Sequence, residues 1–244
     1  MVPSSIRESK DRHTVDTDYK FTPKLLQSTA IYGPNASGKS NLILAIEFVQ
    51  EFVLSSAKDG QEGDSISVEP FKLTKTSSLE PCEFEVIFVE NNTRFQYGFS
   101  VDKERVRDEW LFASPEGGRT QRWFERVYDA KADKYEWYIN PSLKGRRQVW
   151  LESTRSNALF LSTAVQLNAV ALHDPFSWFK DRLRVLTSIT RLSAGYTTRQ
   201  CIETDNRNNV LNFLRSADLG IDDLMVRERN LTTDDLPDEL PEKI

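Results

Sequence analysis

One short glycine-containing loop constrains the fold of this 244-residue chain more than any other feature. It runs Gly33-Pro34-Asn35-Ala36-Ser37-Gly38-Lys39-Ser40. Residues 25–32, a short segment with apolar residues at both ends, precede the loop, and from about residue 40 to residue 55 apolar side chains recur at helical spacing. We therefore predict a strand over residues 25–32, then a tight turn, then an amphipathic helix.

The fixed positions of this loop each have a chemical reason. Gly33 and Gly38 let the backbone turn and approach a ligand, and the N–H groups of the loop and of the following helix favour an anion. Lys39 brings a positive charge to nucleotide phosphates, and the Ser40 hydroxyl can ligate Mg²⁺. We predict ATP and Mg²⁺ as ligands; the alternative is a loop with incidental glycines. The predicted nucleotide-binding residues are Gly33, Asn35, Ala36, Ser37, Gly38, Lys39, Ser40 and Asn41, with Ser40 as the metal ligand.

Beyond residue 80, apolar residues first recur at every second position, as in strands. After residue 150 they recur again at helical spacing. Alternation of Phe84, Val86 and Phe88 with polar neighbours starts a series of strands separated by turn residues, which predicts an antiparallel meander. The predicted strands cover residues 82–90, 94–101, 106–114, 121–128 and 135–139. The predicted helices cover residues 157–166, 175–186 and 208–216, with Asp174 capping the second and Pro175 at its first position.

These patterns divide the chain into four parts. Residues 1–24 are poorly patterned, residues 25–150 form the loop and sheet lobe, and residues 151–230 form a helical part. Residues 231–244 are rich in Asp and Glu and contain two prolines, which predicts a linker or disordered tail.

The charge and the apolar content of the chain limit the kinds of partner that we expect. The net charge of −5 and the pI of about 5.3 give the whole chain no electrostatic attraction for nucleic acid. Local basic patches are candidates at residues 144–147 and at Lys180, Arg182 and Arg184, although such short runs are usually solvated surface. No apolar run is long enough to cross a bilayer and no signal peptide is present, so we expect a cytoplasmic protein.

The cysteines and tryptophans have plain structural explanations. Two cysteines, Cys82 and Cys201, suggest idle thiols rather than a disulfide framework. The five tryptophans could stack nucleic-acid bases beside arginines, but packing against the sheet is the simpler explanation for those in strands. They are Trp110, Trp123, Trp137, Trp150 and Trp178.

The loop residues between the fixed positions carry a resemblance. With Asn35 at the third place and Asn41 after Ser40, the loop resembles that of the ABC-related ATPases, namely the SMC, RecF and OLD (overcoming lysogenization defect) types. Short segments along the chain are similar to bacterial AAA-type ATPases of the abortive-infection kind. They lie at residues 68–71, 97–99, 109–111, 157–162 and 217–221.

The resemblance implies an α/β P-loop NTPase fold of the ABC/SMC-head type. It implies a mixed sheet around the loop, an antiparallel meander beside it and a helical subdomain. It also implies a homodimer or higher oligomer of heads around ATP, and an effector protein or nuclease as partner. We expect the chain to be the first part of such a head, and therefore incomplete.

Parts needed for hydrolysis in that group are hard to find here, and we assign no catalytic residue. Glu90 closes an apolar run but abuts a turn, so a structural hairpin is the better interpretation. Asp222-Asp223 follows too short an apolar segment for a buried strand. The loop at residues 192–195, Leu-Ser-Ala-Gly, spells most of a signature motif but is explained by chance, and Gln166 is either a Mg²⁺- and γ-phosphate-sensing glutamine or an ordinary surface residue.

Three functions stay open from the sequence. The first is an ATPase head that couples ATP to a defence effector. The second is a DNA-repair or recombination ATPase of the RecF or SMC type, which the charge does not support. The third is a non-hydrolysing nucleotide-binding interaction module.

Overall fold

The alternating segment beyond residue 80 folds into a five-stranded antiparallel meander, as predicted. The computed structural model describes residues 10–17, 19, 22, 24–70, 80–116, 118–187, 198–199, 201–202, 204–217 and 220–226. The strand order follows the chain, and hairpins connect all neighbours. The strands are β3 (Cys82–Glu90), β4 (Thr93–Val101), β5 (Val106–Pro115), β6 (Gln121–Asp129) and β7 (Lys134–Ile139).

Two further strands, the helices and two short helical turns lie outside the meander. Residues 198–199 and 201–202 are also helical. Strands β1 (Thr14–Asp16) and β2 (Lys24–Leu26) form a separate antiparallel pair. The helices are α1 (Lys10–His13), α2 (Lys39–Ser55), α3 (Arg147–Glu152), α4 (Phe160–Gln166), α5 (His173–Ser177) and α6 (Thr204–Ser216). A 3₁₀ turn covers Val170–Leu172 and a π-helical turn covers Trp178–Arg182.

The chain forms two compact units, residues 1–185 and residues 186–244. The first contains the loop, both sheets and the helices through the π-helical turn. In the second, the Arg207 guanidinium donates to the Asp223 carboxylate at 2.6 Å and to the Leu224 carbonyl oxygen, which ties α6 to the segment that follows it. Among the described residues, no helix is long and apolar enough to span a membrane.

Aromatic side chains on one face of the sheet make the core of the first unit. Phe48 and Phe52 of α2 pack against Phe84 and Phe99 of the sheet, with ring centroids 5.2–6.5 Å apart. The Trp178 ring of the π-helical turn stacks on the Phe88 ring, 4.3 Å between centroids. The alternation in the sequence therefore does give one buried face, to which α2 and the later helices are fastened.

A buried ion pair fastens α4 to this face. Glu109 and Arg126 lie opposite each other on β5 and β6, both fully buried, with Arg126 Nε 3.3 Å from Glu109 Oε2. The carboxylate also accepts hydrogen bonds from the N–H groups of Phe160 (2.6 Å) and Leu161 (3.0 Å) and from the Tyr97 hydroxyl (3.0 Å). Burial raises the pKa of the Glu109 carboxyl, while Arg126 and these donors oppose that rise. The pair thus supplies the cap that α4 lacks from its own sequence.

Of two expectations about the sheets, one was wrong in its bounds and the other has no support among the described strands. Only Leu25 and Leu26 of the predicted strand 25–32 pair with a neighbour, as part of β2; residues 27–34 are in no strand, and the Tyr32 side chain is 90% exposed. The described strands pair only in antiparallel fashion, so the expected mixed sheet around the loop is not found among them. A strand exists only where a second strand takes its hydrogen bonds, and none of the described strands lies beside residues 28–34.

The helix boundaries also differ from the pattern. The helix predicted from residue 157 begins at Phe160, because the Asn157 side chain bonds to the carbonyl oxygens of Gln61 and Asp64 instead. The helix predicted over residues 175–186 begins at His173 and ends as the π-helical turn at Arg182. Asp174 lies inside its first turn rather than capping it, and its carboxylate accepts a hydrogen bond from Asn91. The helix predicted from residue 208 begins at Thr204, and α3 was not predicted.

Candidate nucleotide-binding site

Helix α2 begins at Lys39, at the end of the glycine-containing loop. Its first helical hydrogen bond runs from the Leu42 N–H to the Gly38 carbonyl oxygen at 3.1 Å, so the N–H groups of Lys39, Ser40 and Asn41 have no acceptor within the helix. The first turn carries no acidic side chain and no side-chain cap. This helix start therefore presents free N–H groups and the positive end of the helix dipole.

The backbone of the loop curves by using the left-handed region twice. Ala36 has φ of 61° and Gly38 has φ of 88°. Alternation of right- and left-handed residues turns successive N–H groups towards one concave side, which suits an anion. Gly33 is confined for another reason: a Cβ at this position would lie 2.7 Å from Ser37 Oγ. The loop conformation thus matches the need for glycine at both fixed positions.

The Lys39 side chain folds back over this loop. Its ammonium group donates to the carbonyl oxygens of Gly33 (2.8 Å) and Pro34 (2.7 Å) and lies 3.3 Å from Ser37 Oγ. All three acceptors are neutral, so the charge of the ammonium is not neutralised at the loop. Because residues 31–38 are all exposed, the concave side of the loop is open to solvent.

The residues present fit a phosphate-bearing ligand with a divalent cation. Free helix N–H groups, an ammonium held only by neutral oxygens and a glycine cradle that a Cβ would fill together favour an anion. The Ser40 hydroxyl, one residue beyond Lys39 and exposed, is an oxygen donor of the kind that Mg²⁺ prefers. The eight predicted residues, Gly33, Asn35, Ala36, Ser37, Gly38, Lys39, Ser40 and Asn41, all lie within residues 33–41 and are brought together by this turn.

Other predicted site candidates lie away from the loop or in structural roles. Glu90 ends β3 at the hairpin, and its carboxylate is held by the Arg182 guanidinium at 3.2 Å, which agrees with the structural interpretation. Asp222 and Asp223 are exposed in a segment without strand structure. Gln166 is the exposed last residue of α4. Residues 192–195 lie outside the described residues.

The tryptophans in the strands pack against other side chains and the cysteines are unpaired, as the simpler interpretation of the sequence predicted. Trp110, Trp123 and Trp137 lie in strands; the Trp123 ring packs edge-on against Phe95, and the Trp137 ring packs against Phe160. Both cysteines are free thiols.

The sequence did not reveal the residues that anchor α2. Gln50 donates to the carbonyl oxygens of Phe179 (2.8 Å) and Leu183 (2.9 Å), and the Ser162 hydroxyl donates to the Val53 carbonyl oxygen (2.5 Å). These contacts join α2 to the later helices and so fix the direction in which the loop projects. A Gln and a Ser within helical patterns carry no signal in the sequence that distinguishes them from surface residues.

Comparison with known proteins places this arrangement in a family. Residues 28–183 match a family model described as "AAA domain, putative AbiEii toxin, Type IV TA system". The match begins just before the loop and ends after the π-helical turn, so it includes α2 and the whole meander. No curated protein and no solved structure matches the chain. Because the matched residues are more than half of the chain, the protein belongs to this AAA family of P-loop ATPase domains, which is related to abortive-infection systems.

Proposed function

We propose that this protein is the ATP-binding module of an ATPase head, with Mg-ATP held by loop 33–40 and the first turn of α2. The observation that carries the proposal is the Lys39 ammonium. It rests on two carbonyl oxygens and a hydroxyl of its own loop, beside free helix N–H groups. Phosphate oxygens are stronger acceptors for an ammonium than carbonyl oxygens are.

In this proposal each loop residue has a separate role. Gly33 and Gly38 keep the backbone close to the phosphates, and the N–H groups of Asn35, Ala36 and Asn41 donate to phosphate oxygens. The Ser37 N–H, which here donates to the Pro34 carbonyl oxygen at 3.3 Å, would exchange that acceptor for a phosphate oxygen. Lys39 supplies the positive charge, and Ser40 supplies an oxygen to Mg²⁺. The nucleotide, when bound, supplies the phosphoanhydride whose cleavage would drive a conformational change.

The wider proposal is that two or more heads associate around ATP and that the bound state is passed to a defence effector. The abortive-infection family supports the effector, and a meander fastened to the P-loop helix supports an ABC/SMC-like head of the RecF and OLD group. The functional lobes would be residues 25–150 and 151–230, with hydrolysis depending on groups from other segments or subunits.

Calorimetric titration with Mg-ATP tests this proposal. The wild-type chain binds, and Lys39→Ala loses measurable binding, because a charge-assisted contact to phosphate contributes about 1.5–3 kcal/mol and several N–H contacts depend on its geometry. Lys58→Ala is the matched control, since Lys58 is an exposed lysine just beyond the other end of α2. Thermal unfolding of all three proteins checks that the fold is intact.

Two results would contradict the proposal. One is unchanged ATP affinity in Lys39→Ala; the other is an equal loss in Lys58→Ala. The metal is tested separately: removal of Mg²⁺ with EDTA weakens ATP binding in the wild type, and the same treatment has a smaller effect in Ser40→Ala, which has already lost the metal's protein ligand.

A further inference from the structure

The meander has two ends of different charge, although the chain as a whole is acidic. At the first end lie the β5–β6 and β7–α3 connections with their flanking residues, 116–125 and 140–148. They contain five cations and two carboxylates, a net charge of +3, against −5 for the chain. At the opposite end, the β4–β5 and β6–β7 connections with their flanking residues, 101–108 and 129–134, contain five cations and five carboxylates, a net charge of zero. We call the first end the basic rim. Its cations are Arg119, Arg122, Lys144, Arg146 and Arg147.

Most of these cations are available for a ligand. Among the described residues, no carboxylate lies within 4.0 Å of the cationic groups of Arg119, Lys144, Arg146 or Arg147, and only Arg122 is paired, with Glu125 at 2.7 Å. At the opposite end the arginines are paired: Arg105 with Asp133, and Arg107 with Asp102. The excess charge at the rim is therefore not internally neutralised.

A β-bulge aims Arg122 towards the outer face of the sheet. Leu111 pairs with Phe124 but Phe112 pairs with Arg122, so Trp123 is the additional residue in β6. Without it, Arg122 would lie on the buried face with Phe124. Instead the Arg122 guanidinium lies 3.6 Å from the centroid of the Tyr138 ring, and its side chain is 44% exposed. Bulges commonly redirect a side chain in this way at surfaces that bind a ligand.

The β7–α3 connection is held in place rather than loose. Asn140 donates from its side chain to the Arg122 carbonyl oxygen (2.9 Å) and from its backbone to that of Trp123 (2.8 Å). Gly145 has φ of 135° and lies so close to the Trp150 ring that a Cβ would approach it to 2.4 Å. An open cavity of about 570 Å³ lies here, lined in part by Ile139, Arg146 and Arg147. The cations on either side of Gly145 thus project from a fixed backbone.

From this arrangement we infer that the basic rim binds the backbone of a single-stranded nucleic acid. Four of its five cations are arginines, whose planar donor groups match phosphate oxygens. Two of them, Arg146 and Arg147, line an open cavity rather than a closed one. The Arg122–Tyr138 pair offers a flat surface on which an unpaired base can stack. This surface favours a nucleic acid over an acidic peptide, because Asp and Glu side chains have no ring to stack on it. Adjacent strand ends are about 5 Å apart, so the rim follows a chain of phosphates rather than a single anion.

Fluorescence anisotropy with fluorescein-labelled oligo(dT) and oligo(rU) tests the inference on the full chain. We expect wild-type binding at low salt, and a loss of at least about tenfold in Arg146→Glu/Arg147→Glu. The matched control is Lys131→Glu/Lys134→Glu, which makes the same charge change at the opposite end of the sheet and should bind as the wild type does. The slope of log affinity against log salt should become shallower by about 1.4 when two phosphate contacts are lost.

A milder variant keeps the test valid if the charge reversal disturbs α3. Lys144→Gln/Arg146→Gln alters only connection residues with exposed side chains and should weaken binding in the same direction. Similar affinity for both oligomers supports recognition through phosphate and base, whereas preference for one supports an added sugar contact at the same rim.

Several results would overturn the inference. They are no binding of either oligomer at low salt, an equal loss in the control variant, and equally tight binding of a polyglutamate peptide, which would make the rim a site for acidic protein segments. Binding that is lost in Lys39→Ala but kept in the rim variants would place the nucleic acid at the phosphate loop. The inference is independent of the proposed function, because calorimetric ATP binding should be unchanged in the rim variants.

Discussion

The buried meander and the phosphate loop use polar groups in opposite ways. In the meander, the Glu109 carboxylate is fully buried, and its oxygens are taken up by Arg126, Tyr97 and two backbone N–H groups. In the loop, the Lys39 ammonium lies over an exposed turn and donates to the carbonyl oxygens of Gly33 and Pro34 and to the Ser37 hydroxyl. Polar groups of the first kind determine stability, because leaving one unpaired in the core is costly. Those of the second kind can be changed with little loss of stability and should affect binding instead.

The largest expected effect is at the buried ion pair. Glu109→Gln leaves the Arg126 charge uncompensated in the core and should lower the free energy of unfolding by about 3–5 kcal/mol. Urea denaturation measures this. The matched control, Glu125→Gln, removes a carboxylate from the partly exposed pair with Arg122 on β6 and should cost about 1 kcal/mol or less. Equal losses of unfolding free energy in the two variants would show that the buried ion pair contributes no more to stability than the partly exposed one.

The next largest effect on stability is expected from replacing a glycine, and it should differ between the meander and the phosphate loop. A Cβ at Gly98 on β4 would lie 2.3 Å from the Trp110 ring and 2.8 Å from the Phe84 carbonyl oxygen, so Gly98→Ala should cost about 1–3 kcal/mol through overpacking. Gly33→Ala meets only the Ser37 hydroxyl, which can rotate away, so its stability should stay within about 0.5 kcal/mol of the wild type while ATP affinity falls. Urea denaturation and calorimetry together measure both. A reversed pattern would contradict the contrast between sheet and loop.

A smaller effect is expected at Asn157, which joins the segment before α4 to the connection after α2. Its side-chain amide donates to the carbonyl oxygens of Gln61 (2.7 Å) and Asp64 (3.0 Å). Asn157→Ala should lower stability by about 1–2 kcal/mol and raise hydrogen exchange at residues 60–66 selectively. Asn209→Ala, on an exposed position of α6, is the control and should change neither. Uniform exchange increases across the sheet would show that the connection is not the part that Asn157 holds.

The same contrast explains what the sequence could predict. The meander was predictable, since alternation encodes one buried face, and the loop was predictable, since each fixed position has its own chemistry. The buried Glu109–Arg126 pair was not predictable, because a Glu or an Arg in a strand sequence does not indicate whether its side chain is buried or exposed. The strand predicted over residues 25–32 was wrong beyond Leu26, because apolar composition cannot supply a partner strand. The π-helical turn was missed, because Trp178 and Phe179 fit an ordinary helical period as well.

The smallest effect is expected where an acid only resembles a catalytic group. Glu90 closes the apolar run of β3, as an acid that positions water in an ATPase would. However, the Arg182 guanidinium binds its carboxylate at the hairpin, with three N–O distances of 3.2–3.3 Å. Rate acceleration needs groups that act in the transition state: a positioned water, a second carboxylate at Mg²⁺ and a donor for the developing charge. The phosphate loop supplies ground-state contacts instead.

We therefore expect phosphate release by this chain alone to stay near background even with ATP bound, and Glu90→Gln to leave it unchanged. The variant should also lose only about 1 kcal/mol of stability or less, since Arg182 is largely exposed. A coupled phosphate-release measurement, with Lys39→Ala as the non-binding control, decides this. Robust turnover that disappears in Glu90→Gln would make the hairpin carboxylate catalytic. Turnover that disappears only in Ser193→Ala would instead assign a role to the Leu-Ser-Ala-Gly sequence at residues 192–195. Turnover that appears when a partner segment is added would support a head that takes its hydrolytic groups from that segment.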